Sequence, residues 1–324
     1  MKPLVSVVIP TFRRPQTLNR CLDALMRQTA DPAQFDVIVV DDGNDAETRQ
    51  AVEALAQQAK FQLRYLGQPE RRGPAAARNR GWQAAEADVI GFTDDDCIPQ
   101  ESWIEVALAA FADGAQVISG QVRMPLSDKP TDYERVNALL ETAEFVTANC
   151  FCRKDALAKV GGLEESFDIA WREDSDLQFK FLENDIPVLK CRDLVILHPC
   201  KKGNWRSCLK DERKNSYDAL LYKRHPKLFR ERIPAYSGLV ALYYTLVVSF
   251  LLGVLFTLTD YPYFAVFCFG VWGAFLSILI IQRLWASSLA PSHVGEVVIT
   301  SVAAPFLSVY WRLYGAVKHR TLYW

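Results

Sequence analysis

The sequence predicts an α/β domain with a mainly parallel sheet between helices, followed by a C-terminal membrane region. Three observations carry that prediction. Apolar, strand-like runs alternate with segments of helical periodicity through residues 4–200. Two of the strand-like runs end in consecutive acids, Asp41-Asp42 and Asp94-Asp95-Asp96. Two long runs then carry no charge at all, Gly238 to Leu258 and Pro262 to Ile281.

Bulk properties narrow the class. The 324 residues suffice for one large domain or a domain with an appendage. Lys plus Arg number 37 against 38 Asp plus Glu, so nothing in the overall charge points to a nucleic-acid partner. The eight cysteines form no C-x-x-C pair and no zinc framework. They read as reduced thiols, with cytosolic exposure favoured over secretion. The N-terminal apolar run is broken by Pro10 and is too short for a signal peptide.

Each element has its own signal. Leu4 to Ile9 is β-branched and stops at Pro10, which gives a strand. Pro15 opens a helix with Leu18, Leu22, Leu25 and Met26 in phase. Phe35 to Val40 is the second strand, and Ala46 to Gln58 the helix after it. Phe61 to Leu66 is the third strand. The Gly73-Pro74 break leads into an Ala-rich helix over Ala75 to Glu86. Val89 to Phe92 is the fourth strand, short, apolar and tipped by the three aspartates. Strand and helix alternating in this way build βαβ units, hence a mainly parallel sheet. Further on, Trp103 to Phe111 reads as a helix and Val117 to Val122 as a strand. Glu134 to Ala143 reads as helical. Val146 to Asn149 is expected to lead into a short helix over Lys154 to Val160. Gly161-Gly162-Leu163 is a turn, Glu173 and Asp174 open a helix, and Val188 to Cys191 and Leu194 to Leu197 read as two short strands.

The character changes after Pro199. Between there and Arg232 lie eleven Lys or Arg against four acids, interleaved with Trp205, Tyr217 and Tyr222. Such a segment reads as membrane-surface. The two uncharged runs are long enough to span a bilayer as a tight hairpin. A third apolar stretch, Val297 to Trp311, is shorter, contains Pro305 and is bounded by Glu296 and Arg312. It reads as an interfacial or re-entrant helix over about 294–315. Trp311, Tyr314, Tyr323 and Trp324 suit a headgroup layer. The expected domains are therefore 1–200, a basic segment over 201–235, and a membrane region over 236–324.

Chemistry concentrates at the acidic strand ends. Three adjacent carboxylates repel one another unless a cation balances them, and such oxygen ligands suit Mg²⁺ or Mn²⁺. Strand ends of a parallel sheet open onto one edge, where α/β folds place ligands. Taken alone, Asp41-Asp42-Gly43 reads equally as a turn. No G-x-G-x-x-G follows any strand, so the dinucleotide fingerprint is missing.

An ordered set of motifs resembles the family 2 inverting glycosyltransferases with the GT-A nucleotide-diphospho-sugar transferase fold. It comprises Val5-Ser6-Val7-Val8-Ile9-Pro10-Thr11-Phe12, Val39-Val40-Asp41-Asp42-Gly43, Ala76-Ala77-Arg78-Asn79-Arg80-Gly81, Phe92-Thr93-Asp94-Asp95-Asp96, Gly161-Gly162 and Glu173-Asp174. The resemblance covers roughly residues 4–200. It implies that Pro10, Thr11 and Phe12 lie by the nucleotide base, with Asp42 accepting from it and Arg78 near the nucleotide. It implies Asp94 and Asp95 on the donor, and Asp94, Asp96 and His198 on the metal. The Glu173-Asp174 pair would supply the base that deprotonates the acceptor, Asp174 before Glu173. The Gln-x-x-Arg-Trp motif of processive synthases is missing, which implies transfer of one sugar, a hexose, per encounter. The implied partners are a nucleotide-sugar donor and a lipid or lipid-linked acceptor, polyprenyl phosphate among the options, in cell-envelope polysaccharide or glycolipid synthesis. Lys227, Arg230, Arg232 and Arg283 flank the two spans and the loop between has no Lys or Arg, so the expected location is the inner membrane with the catalytic domain towards the cytoplasm. Two other readings stand beside this one: a nucleotidyltransferase, and a non-catalytic membrane scaffold. The first usually carries a Gly-rich, Lys-containing N-terminal loop, and residues 11–15 have no Gly.

Overall fold

The β-branched runs become the buried centre of a sheet. In the computed structural model, which describes residues 2–233 and 238–323, β1 (Val5–Thr11) and β2 (Phe35–Asp41) are buried along their whole length. Strands buried on both faces carry near-continuous apolar runs instead of alternating ones, and two polar exceptions, Ser6 and Asp36, bond each other. The helix α1 (Pro15–Met26) joins these strands, and α2 (Ala46–Ala56) leads on to β3 (Gln62–Gly67). Then α3 (Pro74–Ala84) precedes β4 (Val89–Thr93). The strands β1 to β4 are mutually parallel where they pair, in the order β3-β2-β1-β4.

Beyond β4 the sheet becomes mixed. A two-residue strand β5 (Ile98–Pro99) is followed by α4 (Trp103–Ala112), β6 (Val117–Arg123) and, further along, α5 (Asp132–Ala138). Then come β7 (Asn149–Arg153), α6 (Lys154–Lys159), α7 (Glu173–Glu183) and β8 (Val188–Leu197). Among the described residues one eight-stranded sheet runs β3-β2-β1-β4-β7-β6-β8-β5. β7 is antiparallel to both β4 and β6.

Two expectations are corrected here. The stretch expected only to lead into the helix at Lys154 also holds a strand, β7, which runs straight into α6. Asn149-Cys150-Phe151-Cys152 is fully buried on both faces, so it shows no period-two pattern. The two short strands near residues 188–197 are one strand whose register against β6 shifts between Ser119 and Gln121. Charged Arg192 and Asp193 interrupt its apolar run without interrupting the strand. Asn149 holds this junction together. Its amide donates to the Gln121 carbonyl at 2.9 Å and to the Leu194 carbonyl at 3.0 Å, and it accepts from Trp103 Nε1 at 2.8 Å. Gly120 must be glycine for that amide to fit, because a Cβ there would lie 2.3 Å from both Asn149 Nδ2 and the Leu194 carbonyl.

The chain divides into two units, residues 1–125 with 139–199, and residues 126–138 with 200–324. The first holds the sheet. The second holds α5, then α8 (Trp205–Asp211), α9 (Tyr217–Arg224) and α10 (Pro226–Arg232). Three long apolar helices complete it: α11 (Gly238–Leu258), α12 (Pro262–Leu284) and α13 (Pro291–Lys318). The expected boundary at residues 235–236, and Trp324 of the aromatic tail, lie outside the described residues.

All three long helices are long and apolar enough to cross a membrane. Only 22% and 17% of the most apolar stretches of α11 and α12 are buried, so most of their apolar surface needs lipid to cover it. Against each other they pack Leu242, Leu246 and Leu279 with Trp272. The third helix, expected over about 294–315, runs three residues further at each end and, as expected, passes through Pro305. Its two faces are unequal. Ile299, Tyr310 and Leu313 are exposed, whereas Ser301, Ala304 and Ser308 are buried. The buried face meets polar partners. Asn215 donates to Ser308 Oγ at 3.1 Å, Arg312 donates to Asp218 at 3.3 Å and to Asn215 at 3.1 Å, and Arg283 donates to Ser301 at 2.9 Å.

Candidate active site

The parallel strands β1, β2 and β4 end on one edge, and the acids follow from there. The aspartates after β4 do not all point the same way. Asp95 is turned inward and fully buried. It accepts from Thr11 Oγ1 at 2.7 Å and faces Arg14 at 2.7 Å. Burial pushes its carboxyl up to about 7, against the pull of Arg14 and Thr11. Asp94 and Asp96 are part-exposed instead. Arg14 also donates to Asp96 Oδ2 at 3.0 Å, while Asp96 Oδ1 faces His198 Nε2 at 3.5 Å. His198 follows directly on β8, and its backbone N–H donates to the Arg123 carbonyl at 2.8 Å.

Asp42, at the end of β2, is committed to a loop. Its carboxylate accepts the backbone N–H of Arg72 at 2.7 Å and of Gly73 at 2.9 Å, with Gln68 Nε2 at 3.3 Å. Those bonds fix the loop that enters α3. Beside it the Phe12 ring lies under the guanidinium of Arg71, 4.5 Å from the ring centroid. Pro10 and Thr11 are buried in β1.

Arg78 is the junction. It sits on α3, only 2% exposed. One guanidinium nitrogen donates to Asp94 Oδ1 at 2.5 Å and another to Glu173 Oε1 at 3.4 Å. Burial of a cation of this size is tolerable only with such partners. Glu173 and Asp174 open α7, and the residue before them, Arg172, has φ 74°. A left-handed arginine costs of order 1–3 kcal/mol, and strained backbone of this kind gathers at functional sites. Burial and the neighbouring Asp174 charge push the Glu173 carboxyl up to about 8, against Arg78. Burial also raises Asp174, opposed by the Ser175 N–H that its carboxylate accepts at 2.7 Å. The Gly161-Gly162 turn supports the same helix, since Lys180 of α7 donates to the Gly162 carbonyl at 2.5 Å. Gly162 has φ 67°, and a Cβ there would lie 2.6 Å from Asn79 Oδ1.

The structure thus brings Asp94, Asp96 and His198 together, with Cys97 among them. One ligand atom of each lies within 4.8 Å of the others. This donor set fits one divalent ion. Three aspartates at the tip face two guanidiniums, Arg14 and Arg78, which leaves negative charge for a cation to balance. Two residues of the site were not singled out from sequence. Arg14 reads locally only as part of a basic turn, and Cys97 only as one thiol among eight.

The fold and this constellation define a nucleotide-diphospho-sugar transferase domain of the GT-A class. Residues 6–161, just under half of the chain, match the family model described as Glycosyl transferase family 2. Glycosyltransferase AglE of Haloferax volcanii is 28% identical over 169 residues, which are 49% of this chain and 55% of that protein. The pre-mycofactocin glycosyltransferase of Mycobacterium tuberculosis is 31% identical over 197 residues, 55% of this chain and 39% of that protein. The match therefore spans about half the length of the first relative and less of the second. Among solved structures, the mannosyltransferase PcManGT from Pyrobaculum calidifontis, in complex with GDP-Man and Mn²⁺, shares the fold with a TM-score of 0.57 at 18% identity. That likeness covers 99% of this chain and 88% of PcManGT. S. aureus TarS 1-349 in complex with UDP gives 0.52 at 16% identity, covering 97% and 92%.

Proposed function

We propose that this chain is a metal-dependent, inverting hexosyltransferase that moves one sugar from a nucleotide-diphosphate sugar to a lipid-linked acceptor such as polyprenyl phosphate. The observation that carries the reading is Arg78, whose guanidinium joins Asp94 on the donor side to Glu173 on the base side. A displacement needs its leaving group and its base fixed relative to each other. The donor diphosphate would lie at Asp94 and Asp96 and the nucleotide base near Pro10, Thr11, Phe12 and Asp42; Asp95, expected on the donor, is instead turned inward to Thr11 and Arg14 and supports the turn. Asp94, Asp96 and His198 would hold Mg²⁺ or Mn²⁺, and such an ion would supply positive charge against the leaving diphosphate. Asp174 takes the proton of the acceptor oxygen as that oxygen attacks the anomeric carbon. The bond from that carbon to the diphosphate oxygen breaks, and its electron pair leaves with the diphosphate. Glu173 keeps Arg78 in place, with Asp174 nearer to solvent and to an incoming acceptor.

The test is a panel of UDP- and GDP-sugars given to the purified chain with Mn²⁺, with chelator, and then with lipid acceptors. Turnover of one donor is expected to need the metal and to rise with a lipid phosphate acceptor. Turnover indifferent to chelator removes the metal from the reading. No turnover with any donor and acceptor favours the non-catalytic scaffold.

The second unit bears on location. We propose that α11 and α12 span the inner membrane and that α13 lies in the interface. The buried face of α13 is covered by α8, α9 and the turn between them, which carry Lys210, Asp211, Arg213, Lys214, Lys223 and Arg224. Taking such residues to the bilayer centre costs about 2.5–3.5 kcal/mol each on insertion scales. Lys227, Arg230 and Arg232 precede α11 and Arg283 ends α12, whereas the loop between the spans has no Lys or Arg. Both flanks, and the catalytic domain with them, therefore belong on the cytoplasmic side. Cysteine placed at Asp260 is expected to react with an impermeant maleimide in intact cells, and cysteine at Thr321 only in inverted vesicles. Labelling of Thr321 from outside means three spans.

A further inference from the structure

The ligand set at the tip of β4 is softer than three aspartates imply. Cys97 follows Asp96 in a turn closed by its own N–H on the Asp94 carbonyl at 3.1 Å. Its side chain is fully buried and in no disulfide. Its sulfur belongs to the same group of ligand atoms, within 4.8 Å of one another, as a carboxylate oxygen from Asp94 and from Asp96 and a ring nitrogen of His198. Ligands about 2.0–2.3 Å from a four-coordinate ion lie roughly 3.3–3.8 Å apart, so the set has to draw in by about 1 Å to close around a single centre.

His198 is oriented as a ligating ring would be. Nδ1 lies 3.3 Å from the Pro199 carbonyl, an acceptor that suits an Nδ1–H. Nε2 is then turned into the cluster, 3.5 Å from Asp96 Oδ1. Fixing the second ring nitrogen on a backbone carbonyl is the usual support of a ligating histidine.

Hard ions such as Mg²⁺ take oxygen ligands, whereas thiolate with imidazole and carboxylate selects Zn²⁺ and its neighbours. We infer that Cys97 is a fourth metal ligand, and that this site binds thiophilic divalent cations, Zn²⁺ and Co²⁺ among them, in preference to Mg²⁺. On binding, the thiol S–H ionises, its proton passes to solvent and a metal–sulfur bond forms; no electron is transferred. Zinc held by four protein ligands is closed, with no position left for a diphosphate oxygen. Zn²⁺ is therefore expected to occupy the site and block it against the donor. The inference rests on the strand tip being a metal site, as proposed above.

Co²⁺ titration of the full chain in detergent or nanodiscs separates the two readings. The native chain is expected to show a sulfur-to-cobalt charge-transfer band and intense visible bands of a four-coordinate ion. Cys97→Ser should lose the charge-transfer band, still bind Mn²⁺, and bind Zn²⁺ at least about tenfold more weakly. Cobalt bound without the band, or a band that survives Cys97→Ser, overturns the role of Cys97 alone. No binding of Co²⁺ or Mn²⁺ to the native chain overturns the metal site itself, and the inference with it. Where Cys97→Ser fails to fold, Cys97→Ala carries the same comparison, and a native chain that binds cobalt without the band overturns the role of Cys97 by itself.

Discussion

Asp174→Asn is expected to lower kcat by about 10²–10⁴ while leaving metal-dependent donor binding in place, the cost of losing a positioned base. The geometry separates the two acids. Glu173 is 3% exposed and held by Arg78, whereas Asp174 is part-exposed and accepts only from its neighbour Ser175 among the bonds described. Glu173 is the acid that keeps a proton, pushed up to about 8. The pair titrates together, so its apparent values belong to both residues. The rate should rise with pH as the pair loses its proton, along a limb above the ordinary carboxylate range. Asp174→Asn removes the like charge that raises Glu173, so the residual activity should titrate lower. Stability moves oppositely. The native state binds the Glu173 proton more tightly than the unfolded chain, so stability falls as pH rises from about 4.5 towards about 8. Glu173→Gln causing the larger loss of kcat would assign the base to Glu173 instead.

The sequence was legible where burial on both faces imposes a run, as in β1, β2 and β4, and where whole helices carry no charge. It was less legible where long-range contacts decide. Asn149 reads locally as a polar residue before a helix, yet its amide joins β6 to β8 and ties both to Trp103. The three aspartates look equivalent in the sequence, but the turn after β4 sends Asp95 inward to Thr11 and Arg14. Period-two alternation ends with the strand, so nothing local says which carboxylate faces outward. Arg14 acquires its role only when α1 lies beside that turn, some eighty residues further along the chain. The expected helix over 294–315 already ran through Pro305, and α13 extends it by less than a turn at each end. Its packing on α8 and α9 offsets the lost hydrogen bond.

Arg78→Met is expected to abolish transfer and to destabilise the fold by about 3–5 kcal/mol, the usual result of removing one partner from a buried ion pair. The reason is what remains. Glu173 stays buried with Asp174 beside it, and Asp94 faces Asp96 without the guanidinium that now offsets their charge. Arg78→Lys should retain part of the stability and less of the rate, because one ammonium cannot reach both carboxylates with the fixed fork of a guanidinium. Thermal unfolding of the two variants in detergent measures the first effect, and donor turnover with Mn²⁺ the second. The pair Arg78→Met and Glu173→Gln then distinguishes structure from chemistry. Without Arg78 the raised Glu173 keeps its proton more firmly, so Glu173→Gln should recover little of the lost stability near neutral pH and more of it above about 8; the carboxylate left without its partner is Asp94. The double variant should not recover transfer, since nothing then ties the donor side at Asp94 to the helix that carries Asp174. Full stability in Arg78→Met alone, with metal-dependent turnover intact, would show that the guanidinium is not the link between the two halves of the site.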